Sequence, residues 1–197
     1  MQSITYPYII GISGNSGSGK STLSEHLSQT LNATKVAWDD FDDISTGPED
    51  YVDWFKRGSN YDEWDYPELA RVLDELKSGM DLMHPETKEM LHSSKYIIFD
   101  APLGRLHKQT GLYIDFWIHL SVPLDVSLCR RILREFSADV KTKTDLLDEV
   151  RLYLQSARPL FLDDVYKTEA DLVIDGMTSI DVQVLNVKEL IGVNNER

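Results

Sequence analysis

The chain has 197 residues, 42% of them hydrophobic, enough for one globular domain with a continuous core. Its formal net charge of −13 repels phosphodiester backbones and anionic lipid, which argues against nucleic-acid and membrane partners. A single cysteine, Cys129, excludes an intramolecular disulfide framework, and no apolar run approaches the roughly 20 residues of a bilayer span.

In chain order, the opening "MQSITYPYII" lacks a basic flank and a cleavage site, so a soluble cytoplasmic protein is expected. The apolar run from Tyr8 to Ile12 reads as a buried strand. Then comes "GISGNSGSGKST", Gly11 to Thr22, whose composition alone suits a flexible linker. A helix from Ser21 to Asn32 follows it, with Leu23, Leu27 and Leu31 on one stripe. "TKVAW", Thr34 to Trp38, is a second strand, closed by Asp39 and Asp40. From Asp39 to Tyr66 the pattern is irregular, with a short helix opening at Pro48 and stopping before Gly58. Pro67 opens a clearer helix with Leu69, Val72, Leu73 and Leu76 on one face and Gly79 as its stop.

Two further strands run from Lys95 to Asp100 and from Ile114 to Leu120. Pro123 starts a helix carrying Leu128, Ile132 and Phe136 on one side. The polar, aperiodic segment from Ser137 to Asp145 reads as a mobile connection, and a long amphipathic helix precedes Pro159. Asp171 to Asp175 makes a fifth strand, and Ile180 to Ile191 a last helix. Strands alternating with helices imply a three-layer α/β/α domain around a mainly parallel five-stranded sheet.

That context removes the linker reading of the glycine-rich stretch. Gly14, Asn15, Ser16, Gly17, Ser18, Gly19, Lys20 and Ser21 satisfy G-x-x-x-x-G-K-[ST] between a strand and a helix, and Thr22 continues the helix. Glycines let backbone N–H groups turn inward as an anion nest, and the helix adds the positive end of its dipole. Lys20 is placed for the β- and γ-phosphates of ATP and the Ser21 hydroxyl for Mg²⁺, within the fold of the P-loop NTP hydrolases.

Phosphoryl transfer to an alcohol also needs a proton acceptor, a metal partner and positive charge over the γ-phosphate. Asp39 and Asp40 follow a strand at the carboxyl edge of the sheet, where ligands collect; adjacent residues of an extended chain alternate, so one of the two faces the site. Asp100 closes its strand as a candidate metal partner. Arg130, Arg131 and Arg134 cluster in "CRRILREF" as a phosphate clamp, Arg130 and Arg134 on the transferring group and Arg131 on the nucleotide. The five histidines have no paired metal-ligand spacing.

These segments, in this order, resemble the uridine kinase and phosphoribulokinase family of P-loop kinases, which includes nicotinamide riboside kinases. "GISGNSGSGKST" resembles its phosphate loop, "DDF" (Asp39 to Phe41) its acidic turn, and "RRILRE" its lid helix. "NYDEWDYPELARVLDELKSG" resembles the segment whose Asp contacts the acceptor ribose, and "YLQSARPLF" with "EADLVID" the C-terminal stretch ahead of the last strand. The resemblance implies one kinase domain over 1–197, with an acceptor-binding insertion at about 39–94 and a lid at about 130–145. It implies Asp39 as general base and Asp62, with Asp65 second, as acceptor-binding residues. The chain departs from the family at "DAP" (Asp100 to Pro102), where Glu-Gly is common, and at "SADVKTK", which replaces an Arg-Gly-Arg lid.

Eight aromatics, Tyr61 among them, and ten carboxylates fall between Trp38 and Tyr66, against two bases, Lys56 and Arg57. Such a stretch repels anionic acceptors and favours a small nucleoside-type substrate, neutral or cationic, with rings to stack on. Two other readings share the phosphate loop. One is a GTPase-type switch, since "TKTD" (Thr142 to Asp145) resembles Asn-Lys-x-Asp; the other is a non-catalytic ATP-binding regulator. Oligomeric state leaves no mark in the sequence.

Overall fold

The computed structural model describes residues 7–137 and 141–192. Positions 1–6 of the opening segment and 138–140 of the expected mobile connection lie outside the described residues. The strands are β1 (Tyr8–Gly14), β2 (Thr34–Ala37), β3 (Leu82–Met83), β4 (Met90–Leu91), β5 (Tyr96–Asp100), β6 (Phe116–Ser121) and β7 (Leu172–Asp175). The helices are α1 (Lys20–Leu31), α2 (Tyr51–Lys56), α3 (Pro67–Lys77), α4 (Lys108–Gly111), α5 (Leu124–Phe136), α6 (Lys143–Leu152), α7 (Asp164–Glu169) and α8 (Ile180–Leu190).

Five strands form one parallel sheet in the order β2-β5-β1-β6-β7. Consecutive residues of a strand point to opposite faces, so Ile9 and Ile97 enter one core while Ile10 and Ile98 enter another. Leu69, Val72, Leu73 and Leu76 of α3 cover the first face; Leu23 and Leu27 of α1 and Val187 of α8 cover the second. Both faces are therefore dry, which explains why the strands read as continuous apolar runs instead of alternating ones. The three-layer α/β/α fold is as the alternation of elements implies.

The chain leaves β1 toward β5 and β2 on one side and toward β6 and β7 on the other. β1 is thus the switch point, and its carboxyl end opens a crevice. The ends of β1, β2 and β5 lie together there, since Asp100 pairs with both Ile12 and Ala37.

Several local expectations change. The stretch after β2 is regular: a 3-10 helix spans Trp38–Ile44, and α2 begins at Tyr51 rather than at Pro48 because Asp50 caps it, accepting from the Val52 and Asp53 N–H groups. The expected mobile connection ends in α6, which Thr142 and Asp145 open as a reciprocal capping box. That assigns "TKTD" to helix capping, where its side chains are engaged with the backbone. A small antiparallel β3-β4 hairpin, too short to leave a period in the sequence, follows α3. Among the described residues no helix is long and apolar enough to cross a membrane.

Candidate active site

Between Gly14 and Lys20 the backbone turns through Gly17 and Gly19, at φ 86° and 102°, the left-handed region that only glycine enters without strain. A Cβ on Gly17 would sit 2.2 Å from the Ser127 carbonyl oxygen, so the loop is pressed directly against α5. Lys20 begins α1; burial holds its ammonium below the ordinary lysine range, and the Asp100 and Asp39 carboxylates act against that. The Ser21 hydroxyl donates to Asp100 Oδ2 at 3.0 Å. Burial raises the Asp100 carboxyl, while Lys20 and Ser21 favour its charged form.

These two oxygens suit a hard divalent cation such as Mg²⁺, which takes one or two protein oxygens and fills its shell with phosphate and water. Among the described residues there is no cluster of three or more His, Cys, Asp or Glu for a metal, so such an ion depends on the nucleotide for the rest of its shell. Thr22 is exposed in the first turn of α1. Asn15 serves the loop differently, for its amide donates to the Phe161 carbonyl at 2.8 Å and ties the loop to the segment before α7.

The three arginines separate. Arg134 donates to Ser16 Oγ at 2.9 Å, and Arg130 reaches to 3.5 Å of the Ser18 carbonyl; spaced four apart on α5, they share the face over the phosphate loop. Arg131 lies on another face, paired with Glu149 of α6 at 2.5 Å and stacked over the Phe161 ring. It fastens α6 to α5, and the structure does not bring it to the loop's ligand side.

A cavity of about 810 Å³ runs from this loop into the fold. Lys20, Ser21, Asp39, Asp100 and Arg134 line one end. Of the eight aromatics between Trp38 and Tyr66, all but Phe41 line the other; Phe41 is fully buried in the core. The rings brace one another, with Trp38 4.0 Å from Tyr66 and Tyr51 5.2 Å from Trp64. Of the ten carboxylates in that stretch only Asp39 and Asp42 line the cavity, so the negative charge there is local and aimed.

Extended-chain alternation is not what separates Asp39 from Asp40. Both belong to the 3-10 helix, where three residues make a turn, so Asp39 and Asp42 share a face. Asp40 points to the far side, exposed and 4.0 Å from His84 Nε2. The structure also does not bring Asp62 or Asp65 to the cavity wall. Asp62 is exposed, and Asp65 bridges to Thr46 and accepts from Gln109. Tyr61 does line it.

Phe161, Leu162, Val165 and Tyr166 also reach the cavity, although sequence reasoning placed none of them at the site. A buried polar chain holds this wall. Trp117 Nε1 donates to Ser13 Oγ at 2.7 Å, so the Ser13 hydroxyl is free to donate to His119 Nδ1 at 3.0 Å, and His119 Nε2–H donates to Asp163 Oδ2 at 3.1 Å. Tyr166 stacks on the His119 ring at 5.4 Å. Burial keeps the His119 imidazole below its ordinary range, although Asp163 pulls the other way. Burial pushes Asp163 up, but Lys167 and His119 outweigh it and leave the carboxyl low. No spacing pattern reveals this chain, because its members come from three distant segments.

A family model described as an AAA domain matches residues 10–150. A uridine kinase of Proteus mirabilis is 30% identical, covering 91% of this chain and 93% of that protein, and one of Deinococcus deserti is 24% identical, covering 92% and 95%. Among solved structures, a possible uridine kinase from Bacillus stearothermophilus aligns with a TM-score of 0.52 at 21% identity, covering 88% of this chain and 91% of that one. A sugar kinase from Janibacter aligns equally well, 0.52 at 16% identity, over 95% and 96%. At those identities the two structures speak for the fold alone. The chain is a small-molecule kinase, a phosphotransferase acting on a hydroxyl group. With a phosphate loop, an acidic turn and a strand-end carboxylate converging on one cavity, and with relatives matched over nearly their full length, it belongs to the uridine kinase-like family of P-loop kinases.

Proposed function

We propose that this kinase transfers the γ-phosphoryl group of ATP to the primary hydroxyl of a nucleoside-type acceptor, uridine-like or nicotinamide riboside-like. One observation carries the reading: a single cavity holds Lys20, Ser21, Asp39 and Asp100 at one end and a wall of aromatic rings at the other. A planar base finds faces to stack on, and its sugar lies toward Asp39. The names of the full-length relatives, uridine kinases, point the same way.

In this reading the acceptor hydroxyl oxygen forms the new bond to the γ-phosphorus as the bond to the β-phosphate oxygen breaks, and ADP leaves. Asp39 accepts the hydroxyl proton. Lys20 lies against the β- and γ-phosphates, and Arg130 and Arg134 close over the loop that holds them. A Mg²⁺ ion held by Ser21 and Asp100 would supply neutralisation of the phosphate charge. The chain acts as one kinase domain, with 130–145 as its lid; the part of the insertion that lines the cavity ends at Tyr66.

The test is incubation with Mg-ATP and a panel of nucleosides, nucleoside monophosphates and other alcohols. Transfer to uncharged or cationic nucleosides is expected, and turnover confined to anionic acceptors overturns the reading. Asp39→Asn should retain ATP binding and lose about 10³-fold in kcat, within the usual range for a general base; undiminished turnover removes Asp39 from the role.

A further inference from the structure

The aromatic wall of the cavity is built from short elements. Between β2 and α3 the chain runs through two 3-10 helices and the six-residue α2, and an isolated bridge joins Thr46 to Asp65. Burial of Trp38, Phe41 and Tyr66 holds this segment on the core, but apolar burial is not directional. Directional ties come from a stretch that follows β5. His107 Nε2 donates to the Trp64 carbonyl at 2.9 Å, Gln109 Nε2 donates to Asp65 Oδ1 at 2.9 Å, and Gln109 Oε1 accepts from the Tyr66 N–H at 2.7 Å. Three consecutive wall residues are thus each bonded to positions 107 and 109.

His107 is buried, and its tautomer is fixed by its partners. A carbonyl only accepts, so Nε2 carries the proton and Nδ1 accepts from the Thr110 hydroxyl at 2.8 Å. The ring meets Trp38 edge-on at 5.0 Å and Tyr66 edge-on at 6.2 Å. The chain leading to His107 is anchored on the sheet. Gly104, at φ 53°, lies so close to Trp117 that a Cβ would sit 2.1 Å from the indole, and Arg105 donates to the Ile114 and Asp115 carbonyls and to Asp171. From Tyr66 the tie runs on into the site, since its hydroxyl donates at 2.7 Å to Asp42, on the same 3-10 helix as Asp39. Neither His107 nor Gln109 lines the cavity, whereas Trp38, Asp39, Trp64 and Tyr66 all do.

We propose that His107 and Gln109 are positioning residues for the acceptor: they hold the aromatic wall in register with Asp39 and with the end of β5, and so set acceptor affinity without touching the acceptor. The inference rests on the kinase reading above and locates part of its specificity in a layer behind the cavity. An apolar side chain at position 107 would fill the space and leave the Trp64 carbonyl unpaired, so that the wall loses its angle while the core stays packed.

The experiment measures KM for the better acceptor of uridine and nicotinamide riboside at saturating Mg-ATP, and KM for Mg-ATP at saturating acceptor, with a urea midpoint for each variant. His107→Leu should raise the acceptor KM by about five- to tenfold and leave the Mg-ATP KM within about twofold. His107→Gln returns an amide N–H toward the Trp64 carbonyl and should recover most of that rise. Gln109→Met, at a half-buried position, should raise the acceptor KM by about threefold and serves where His107→Leu folds poorly. A lowered urea midpoint with an unchanged acceptor KM overturns the proposal and makes both residues merely structural. A parallel rise in both KM values overturns it too, as does a folded His107→Gln that behaves like His107→Leu; each of these leaves the kinase reading standing. A wild-type enzyme that phosphorylates neither acceptor overturns both.

Discussion

At one end the cavity is lined mainly by a single loop, through Gly14, Asn15, Ser16, Lys20 and Ser21, joined by Asp39, Asp100 and Arg134; at the other it is lined by side chains of segments far apart in sequence, from Trp38 to Tyr66 and from Leu160 to Tyr166. The first end is set by φ angles and by the start of α1. The second is set by rings packed on rings and by two polar ties, Asn15 to Phe161 and Ser13 through His119 to Asp163. Backbone geometry is nearly all-or-none, since a left-handed residue either tolerates a Cβ or does not. A packed wall yields by degrees. Damage to the donor end should therefore be abrupt and damage to the acceptor end graded.

The largest effect is expected at Gly17. Gly17→Ala combines a φ of 86° with a Cβ 2.2 Å from a backbone oxygen of α5. The strain alone is about 1–3 kcal/mol and the overlap costs about as much again, so nucleotide affinity should fall on the order of 10²-fold or more. Titration calorimetry with ATP analogues checks this. A variant that binds normally would mean that the loop is not pressed against α5.

A middle effect is expected at His119, which joins the two ends. Replacing it with leucine removes the imidazole that joins Ser13 to Asp163 and leaves the Ser13 hydroxyl proton and Asp163 Oδ2 only longer bonds, to the Ile118 carbonyl and from the Ser121 hydroxyl, at about 1–3 kcal/mol of stability. Its pH dependence has a definite sign. His119 and His107 are both held below the ordinary histidine value by burial, so as pH falls through about 6.5 the unfolded chain takes up protons before the folded one does. Stability is full above that range and declines below it. Urea midpoints measured between pH 5 and 8 should fall on the acid side and do so less steeply in His119→Leu. A wild-type midpoint that rises on acidification contradicts the burial of both rings.

The same contrast explains what could be read before any coordinates. Lys20 and Ser21 follow from a spacing within one loop, and Asp100 from its place at the end of an apolar strand, because in both cases the backbone path alone puts the side chain at the sheet's carboxyl edge. The division of labour among the arginines was not legible from spacing, since Arg134 lies within one helical turn of both Arg130 and Arg131; the Glu149 and Phe161 contacts of Arg131 set it apart. The shared face of Asp39 and Asp42 was not legible, because it needs the 3-10 period rather than the extended one, and "DFDD" fits a solvated acidic turn equally well. Tyr166 and Phe161 escaped for a different reason. They reach the cavity through α7 packing against β6 and through the Asn15 tie, contacts between segments far apart in sequence that no local pattern encodes.

The smallest effect is expected at Asp62, and it separates similarity in sequence from position in space. The segment that begins at Asn60 resembles an acceptor-contacting stretch, yet Asn60 Oδ1 accepts from the Asp62 N–H and caps a short 3-10 turn that leaves the Asp62 carboxylate exposed and off the cavity wall. An exposed carboxylate at that remove acts on a ligand only through solvent-screened charge. Asp62→Asn should accordingly change the acceptor KM by less than about twofold, as surface changes usually stay within roughly 0.5 kcal/mol. A tenfold rise would require the turn from Tyr61 to Glu63 to rotate on acceptor binding and carry Asp62 inward. The same rotation would move Tyr61, and with it the edge-on contact to Trp54, so a change in tryptophan fluorescence on acceptor binding that is absent in Asp62→Asn would accompany it. Without that signal Asp62 stays where the 3-10 turn holds it, off the cavity wall.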